Sequence, residues 1–407
     1  MNLPFTRDEL ATIAQIYPTP FYVYDAAGIR AAARALQQAF AWAPNFRQYF
    51  ALKATPNPHI LRLLADVGCG ADCSSLAELA LAERAGLRGG LVMFSSNNTP
   101  AEEFVAARHL GALINLDDVG LLDDLERHAG LPEFLSFRLN PGPALAGNTI
   151  IGRPEESKFG ATREQLLAGY AAARDRGVRR FGLHAMVVSN ERATAAHAAT
   201  ARLLFELALE LQAKLGITIA LINLGGGIGI PYRPDEIPAD LPAIGAAVQA
   251  VYRELFGEHG PALATECGRL ITGPHGYLVT RVRHLKQTYR NYAGLDASMH
   301  NLMRPAMYGA YHHITVPGKE HLPARAVYDV VGSLCENNDK FAIARALPPL
   351  APGDLVVIHD AGAHGHAMGF SYNGKLRSAE LLRESDGSVR LIRRAERLAD
   401  LFATLED

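Results

Sequence analysis

Between about residues 46 and 266 the chain alternates two textures. Short apolar runs fall at 46–52, 70–73, 91–95, 112–116, 134–139, 181–187, 217–224 and 262–266. Between them, at 58–67, 75–85, 101–110, 163–176, 193–215 and 244–256, apolar residues recur every three to four positions, the period of an amphipathic helix. Repeated strand–helix units place their strands parallel, joined by right-handed crossovers. About eight such units close a (β/α)8 barrel, so the pattern predicts an α/β protein of that kind. An open doubly wound sheet is the alternative.

After Gly273 the texture changes. Runs at 277–282, 326–331 and 355–359 are separated by Gly, Pro and Asn turns, and long helical patterns are scarce. This predicts a mostly β domain over 274–407 behind a barrel over 31–273. The early run 20–25 reads as a strand, and residues 1–30 are expected to lend it to the β domain.

Composition narrows the function classes. The 407 residues are 49% hydrophobic and 20% charged, enough for a large core, and carry a net charge of −2 with no basic stripe. Nucleic acid is therefore not an expected partner. The stretch Met1–Asp8 lacks a charged-then-apolar signal pattern, and no apolar run approaches the roughly 20 residues that span a bilayer. A cytoplasmic protein without a membrane partner is expected. Four cysteines in so long a chain are no disulfide framework, and no second pair completes a zinc site with Cys69 and Cys73.

A parallel barrel collects its chemistry where the strands end. Lys53 closes the first run. Such a lysine ordinarily reaches water; lining a site, it would be a desolvated, nucleophilic amine. Asp72, beside Cys73 and Ser74, ends the second run, and His184, Met186 and Ser189 mark the sixth. Gly225-Gly226-Gly227 ends the seventh, where three glycines either make a tight turn or let backbone amides approach a phosphate. Glu266, with Gly268 and Arg269, ends the eighth. A buried carboxylate there either pairs with Arg269 or meets a cation in the site. An amine, a phosphate cradle and a buried acid together match pyridoxal phosphate, which needs all three. A Lys/Glu acid–base site without a cofactor is the competing reading.

The ordered segments 49–54, 70–79, 157–160, 182–190, 225–232, 266–269, 304–312, 332–339, 360–365 and 372–373 resemble the fold-type III pyridoxal-phosphate decarboxylases, and within them the diaminopimelate decarboxylase branch. The resemblance spans nearly the whole chain. It implies an alanine-racemase-like barrel with a C-terminal β domain, and a homodimer with shared active sites. By position it implies that Lys53 holds the cofactor as a Schiff base and that Gly225–Gly227 and Ser189 hold its phosphate. Glu266 would pair with the ring nitrogen, and Arg269 would lie near phosphate and substrate. Asp72, His184, Met186, Gly268 and His364 fall in cofactor-binding segments. Cys335 resembles the proton donor that enters from the partner subunit. Glu336 would read a distal amine of the amino-acid substrate, and Arg304 and Tyr308 a distal carboxylate.

Those last three residues fit a substrate with both distal groups, which implies decarboxylation of meso-2,6-diaminopimelate to L-lysine and CO2, the last step of lysine biosynthesis. An arginine would oppose the cationic end of ornithine or arginine. A related decarboxylase acting on carboxynorspermidine, a siderophore intermediate, ornithine or arginine is the alternative, as is a vitamin-B6 carrier without catalysis. Two departures bear on specificity. Met186 stands where many members have a histidine stacked on the ring, and a thioether is expected to pack there without hydrogen bonding. His364 replaces the usual tyrosine and could contact phosphate or substrate. A third departure, Cys267 for proline, carries no expected consequence.

Overall fold

A computed structural model describes residues 3–145 and 152–406. It divides into two compact units, one of residues 30–230 and 238–271, the other of residues up to 29, 231–237 and 272 onward. The first strand, β1 (Phe21–Asp25), belongs to the second unit.

The first unit is built on a closed barrel of eight parallel strands. These are β2 (Arg47–Ala51), β3 (Gly70–Cys73), β4 (Val92–Ser96), β5 (Leu113–Leu116), β6 (Phe134–Leu139), β7 (Arg180–Ala185), β8 (Ile219–Asn223) and β9 (Ala262–Thr265). Pairing of Arg47 with Ala264 closes the ring. Helices begin directly after the strand ends because capping residues stand there. Asn57 accepts from the His59 amide ahead of Pro58–Ala65, and Ser75 accepts from the Glu78 amide ahead of Leu76–Arg84.

Strand alternation sorts the barrel interior into layers. Tyr49, Met93 and Ala264 form an apolar cluster against which Leu113 and Leu221 pack. Two residues further along each strand the inward positions are Ala51, Ser95, Asn115, Asn223 and Glu266, nearly all polar. The barrel is thus dry at its base and polar toward the strand ends.

Among the helices of eight residues or more in the described chain, three were not expected. The segments Arg7–Ile16 and Leu121–Ala129 each bury only two side chains, and Ala26–Ala39 is alanine-rich. Each carries only two or three large apolar residues, so its apolar stripe is short.

In the second unit β1 lies mid-sheet, antiparallel to β10 (Gly276–Gln287) and parallel to β16 (Ala379–Arg383). The sheet also contains β11 (Asn291–Leu295), β12 (Ile314–Thr315), β13 (Ala326–Val331), β14 (Lys340–Leu347), β15 (Leu355–Ile358) and β17 (Val389–Arg393). Its main path runs β14-β13-β11-β10-β1-β16-β17. Phe21, Val23, Val279, Val357 and Leu381 form its core with Leu10 and Ile13 of the first helix. No helix among the described residues is long and apolar enough to cross a membrane.

Candidate active site

Lys53 sits just past the strand rather than on it. The strand β2 ends at Ala51, and residues Leu52–Ala54 turn in a 3-10 helix that leaves Lys53 exposed. The lysine is therefore a rim residue that reaches out from the turn, as a lysine closing such a run ordinarily does. Gly268 lies against this turn. A Cβ there would come within 2.7 Å of the Ala54 methyl and 3.2 Å of the Ala51 carbonyl, so glycine lets the exit of β9 pack beside Lys53.

Glu266, one residue beyond β9, is buried and bonded on both oxygens. The His184 Nε2 lies 3.1 Å from Oε2, and Asn223 Nδ2 donates to Oε1 at 2.6 Å. Burial alone would raise its pKa, but His184, the Lys53 charge and Asn223 outweigh that and hold it at about 2. Burial and the Glu266 charge push Asp72 the opposite way, well above the usual carboxylate range, with Lys53 opposing. Of these two neighbouring acids, the surroundings favour the charge on Glu266 and oppose it on Asp72.

Beside them Arg138 of β6 bonds Asp117 at 3.2 Å and lies 4.6 Å from the Phe159 ring centre. Glu78 is drawn under the Lys53 turn by the amide and hydroxyl of Ser74, at 2.7 and 2.9 Å.

The three glycines after β8 are required by the backbone around them. A Cβ would lie 2.3 Å from the Ala185 carbonyl at Gly225, 2.6 Å from the Glu266 carbonyl at Gly226 and 2.2 Å from the Val188 carbonyl at Gly227. Gly225 and Gly227 also have φ of +70° and +96°. The Gly225 amide donates to Asn223 Oδ1 at 2.9 Å, and the Gly226 amide lies 3.3 Å from Met186 Sδ. Met186 therefore does hydrogen-bond, contrary to the expectation for a thioether, because β7 ends with its sulfur against the glycine turn. Ser189 and Arg269 are half-buried beyond the ends of β7 and β9.

The remaining predicted residues belong to the second unit. Arg304 opens the short helix Arg304–Tyr308 and is only 5% exposed. Its Nη1 donates to His312 Nε2 at 2.8 Å, His312 Nδ1 lies 2.8 Å from the His359 carbonyl, and the guanidinium sits 4.6 Å from the Tyr232 ring centre. Tyr308 is exposed at the other end of that helix. Cys335 and Glu336 are exposed on a loop organised by Asp339, whose carboxylate accepts from the amides of Met299 (2.6 Å) and Leu334 (2.8 Å). Asn373 Oδ1 holds the Cys335 amide at 2.8 Å. His364 is half-buried, with φ of +56°.

Near Arg304, Asp360 is buried with φ of +55°, and its Oδ2 has no hydrogen-bond partner among the described residues. Burial pushes its pKa up to about 7, with Arg304 opposing. The folded protein thus keeps a proton that the unfolded chain loses near pH 4, so stability should fall as pH rises from there to about 7, then level off. Asp360→Asn suits the same backbone and removes that loss. Urea unfolding should show the variant more stable than wild type by about 2–4 kcal/mol at about pH 8, the advantage shrinking toward about pH 4.5.

The family described as "Pyridoxal-dependent decarboxylase, pyridoxal binding domain" matches residues 26–273. The chain belongs to this family. Protein TabA of Pseudomonas amygdali pv. tabaci is 47% identical over 391 residues, covering 96% of this chain and 92% of its own. The diaminopimelate decarboxylase of Methanothermobacter thermautotrophicus is 35% identical over 396 residues, with the same coverage. Among solved structures, diaminopimelate decarboxylase from M. jannaschii in complex with L-lysine superposes with a TM-score of 0.91 at 30% identity, covering 98% of this chain and 94% of the other.

This decarboxylase therefore uses pyridoxal phosphate, and its barrel residues fit that group. Lys53 offers a reachable amine and Glu266 a fixed anion. Asp72 Oδ1 and Ser95 Oγ, on the adjacent strands β3 and β4, are buried without a hydrogen-bond partner among the described residues, as expected of walls that face a polar ligand. Sequence reasoning missed the decarboxylase's Asn115, Ser136, Asn223 and Arg138, and Asp339 and Asn373 behind Cys335. One signal was available for the barrel set: Asn115 and Asn223 are each the lone polar residue of an apolar strand, and Ser136 and Arg138 are the two polar residues of β6.

Proposed function

We propose that this decarboxylase acts on meso-2,6-diaminopimelate, releasing CO2 and L-lysine as the last step of lysine biosynthesis. The observation that carries the reading is Arg304, a buried guanidinium held by His312 and Tyr232 in a segment that also matches the diaminopimelate decarboxylase branch. A preset planar cation suits a distal carboxylate and has no use in a substrate that ends in an amine alone. Similarity to the diaminopimelate decarboxylases supports the same reading.

In this scheme Lys53 Nζ would be the group that holds the cofactor covalently and that exchanges with the amines of substrate and product. Pyridoxal phosphate supplies the electron sink. Ser189, Gly225–Gly227 and Arg269 hold the phosphate. Asp72, His184, Met186 and Gly268 line the ring, and Glu266 keeps a proton on the ring nitrogen. Arg304 and Tyr308 grip the distal carboxylate, Glu336 takes the distal amine, and His364 borders both groups. Cys335, from the partner subunit of a homodimer, gives a proton to the α-carbon after CO2 departs and recovers one from solvent.

A second reading, another amine-bearing amino acid, draws support from the higher identity to Protein TabA and from Met186 and His364. Measuring CO2 release from meso-diaminopimelate, its stereoisomers, ornithine, arginine, lysine and carboxynorspermidine separates the two. The meso compound should lead every other by at least about tenfold in kcat/KM, the separation that one charged contact supplies. Leadership by a substrate without a distal carboxylate would sink the diaminopimelate reading.

A further inference from the structure

Behind Glu266 lies a row of polar side chains, two of which, Ser136 and Asn115, the chemistry above does not use. The Ser136 hydroxyl of β6 lies 2.8 Å from Asn115 Oδ1 on β5. Asn115 Nδ2 lies 3.1 Å from His184 Nδ1 on β7, and His184 Nε2 lies 3.1 Å from Glu266 Oε2. Ser136, Asn115 and His184 are each 2% exposed, in the middle of the barrel.

Such a row can run in either of two directions, and its two ends decide which. The Gly225 amide can only donate, so Asn223 turns Oδ1 to it and Nδ2 to Glu266. The Lys53 charge also favours an ionised Glu266. An anion facing His184 needs a donor, so the ring proton is on Nε2 and Nδ1 accepts. Asn115 must then present Nδ2 to the ring and Oδ1 to Ser136, which donates. In the reverse order either a nitrogen lone pair would face a carboxylate lone pair across 3.1 Å, or a doubly protonated His184 would need the Asn115 amide turned over, against the placement of its Nδ2 on Nδ1 and its Oδ1 on Ser136.

We propose that Ser136 and Asn115 are positioning residues, a one-way relay that fixes His184 as a donor and so keeps Glu266 ionised against the cofactor's ring nitrogen. The relay rests on the reading that Glu266 faces that nitrogen. It serves the cofactor rather than any one substrate, so it holds whichever amino acid the enzyme takes. Its chemical consequence is that the ring nitrogen stays protonated, which sets the strength of the electron sink.

The test loads wild type and variants with pyridoxal phosphate isotope-labelled at the ring nitrogen and reads that nitrogen's chemical shift in the resting enzyme. Asn115→Leu leaves Nδ1 without its donor, and Ser136→Ala lets the Asn115 amide turn over. The signal should move from the protonated toward the unprotonated position in Asn115→Leu, and part-way in Ser136→Ala. Ser136→Thr, which retains the hydroxyl, should keep the wild-type signal. With substrate, kcat should fall about tenfold in Asn115→Leu while KM stays within about twofold, the scale of one lost buried hydrogen bond. Should Asn115→Leu not fold, Ser136→Ala, the smaller change, carries the test.

A wild-type signal in the Asn115 and Ser136 variants, with a moved signal in Glu266→Gln, overturns the relay and leaves the Glu266 reading standing. An unmoved signal in Glu266→Gln removes that reading and the relay with it.

Discussion

Replacing Lys53 with alanine should abolish CO2 release from every substrate, a loss of at least about 10³-fold, because no other residue can take over the covalent step. The fold should survive. Lys53 is exposed on a 3-10 turn, and substitutions at such positions usually change stability by no more than about 0.5 kcal/mol. Borohydride reduction of the loaded wild-type enzyme should fix the cofactor to the chain, and peptide mass mapping should place the added mass on Lys53. The alanine variant should show no added mass at any lysine. Label on a different lysine, or turnover in Lys53→Ala within about tenfold of wild type, would refute the assignment. The same samples separate enzyme from carrier: a labelled Lys53 with no CO2 from any amino acid in the panel would leave a cofactor-binding barrel without catalysis.

Much of the barrel was legible because its strands are buried on both faces and read as short apolar runs, while the helices between them carry one apolar stripe. Eight runs were expected and eight strands close the ring. The ends were less legible. Residues 46–52 run on past the true strand end at Ala51, because a buried 3-10 turn and a buried strand share an apolar composition. Lys53, two residues beyond the strand, therefore stands in the turn at the rim.

The site divides in the same way. Glu266 and the three glycines could be found because their chemistry is unusual at a strand end. The pairing that gives Glu266 its charge could not: His184, itself a candidate, and Asn223, which was not, are 82 and 43 residues away. Only closure of β7, β8 and β9 into one wall brings them together. For Met186 the sequence suggested a side chain that packs without bonding; the close approach of β7 to the glycine turn makes its sulfur an acceptor for the Gly226 amide. Such facts depend on register, which a one-dimensional pattern does not carry.

Arg304→Lys should reduce kcat/KM for meso-diaminopimelate by about 30- to 100-fold, the value of one charge-assisted, planar contact of about 2–3 kcal/mol. Alanine is the wrong replacement here, because it would leave His312 and Tyr232 facing a buried hole. Lysine retains the charge but loses the fork. An ammonium cannot donate to His312, lie flat over Tyr232 and still offer two parallel N–H groups to a carboxylate. The loss should appear mainly in KM, as befits a contact made equally in the ground and transition states. Slow turnover of ornithine, which has no distal carboxylate, should change by less than about threefold in the same variant, so the preference between the two substrates should narrow. Equal losses on both would mean that Arg304 acts only as a buried support for His312 and Tyr232. The distal pocket would then have to find its carboxylate partner elsewhere, with Arg269 as the next residue to replace.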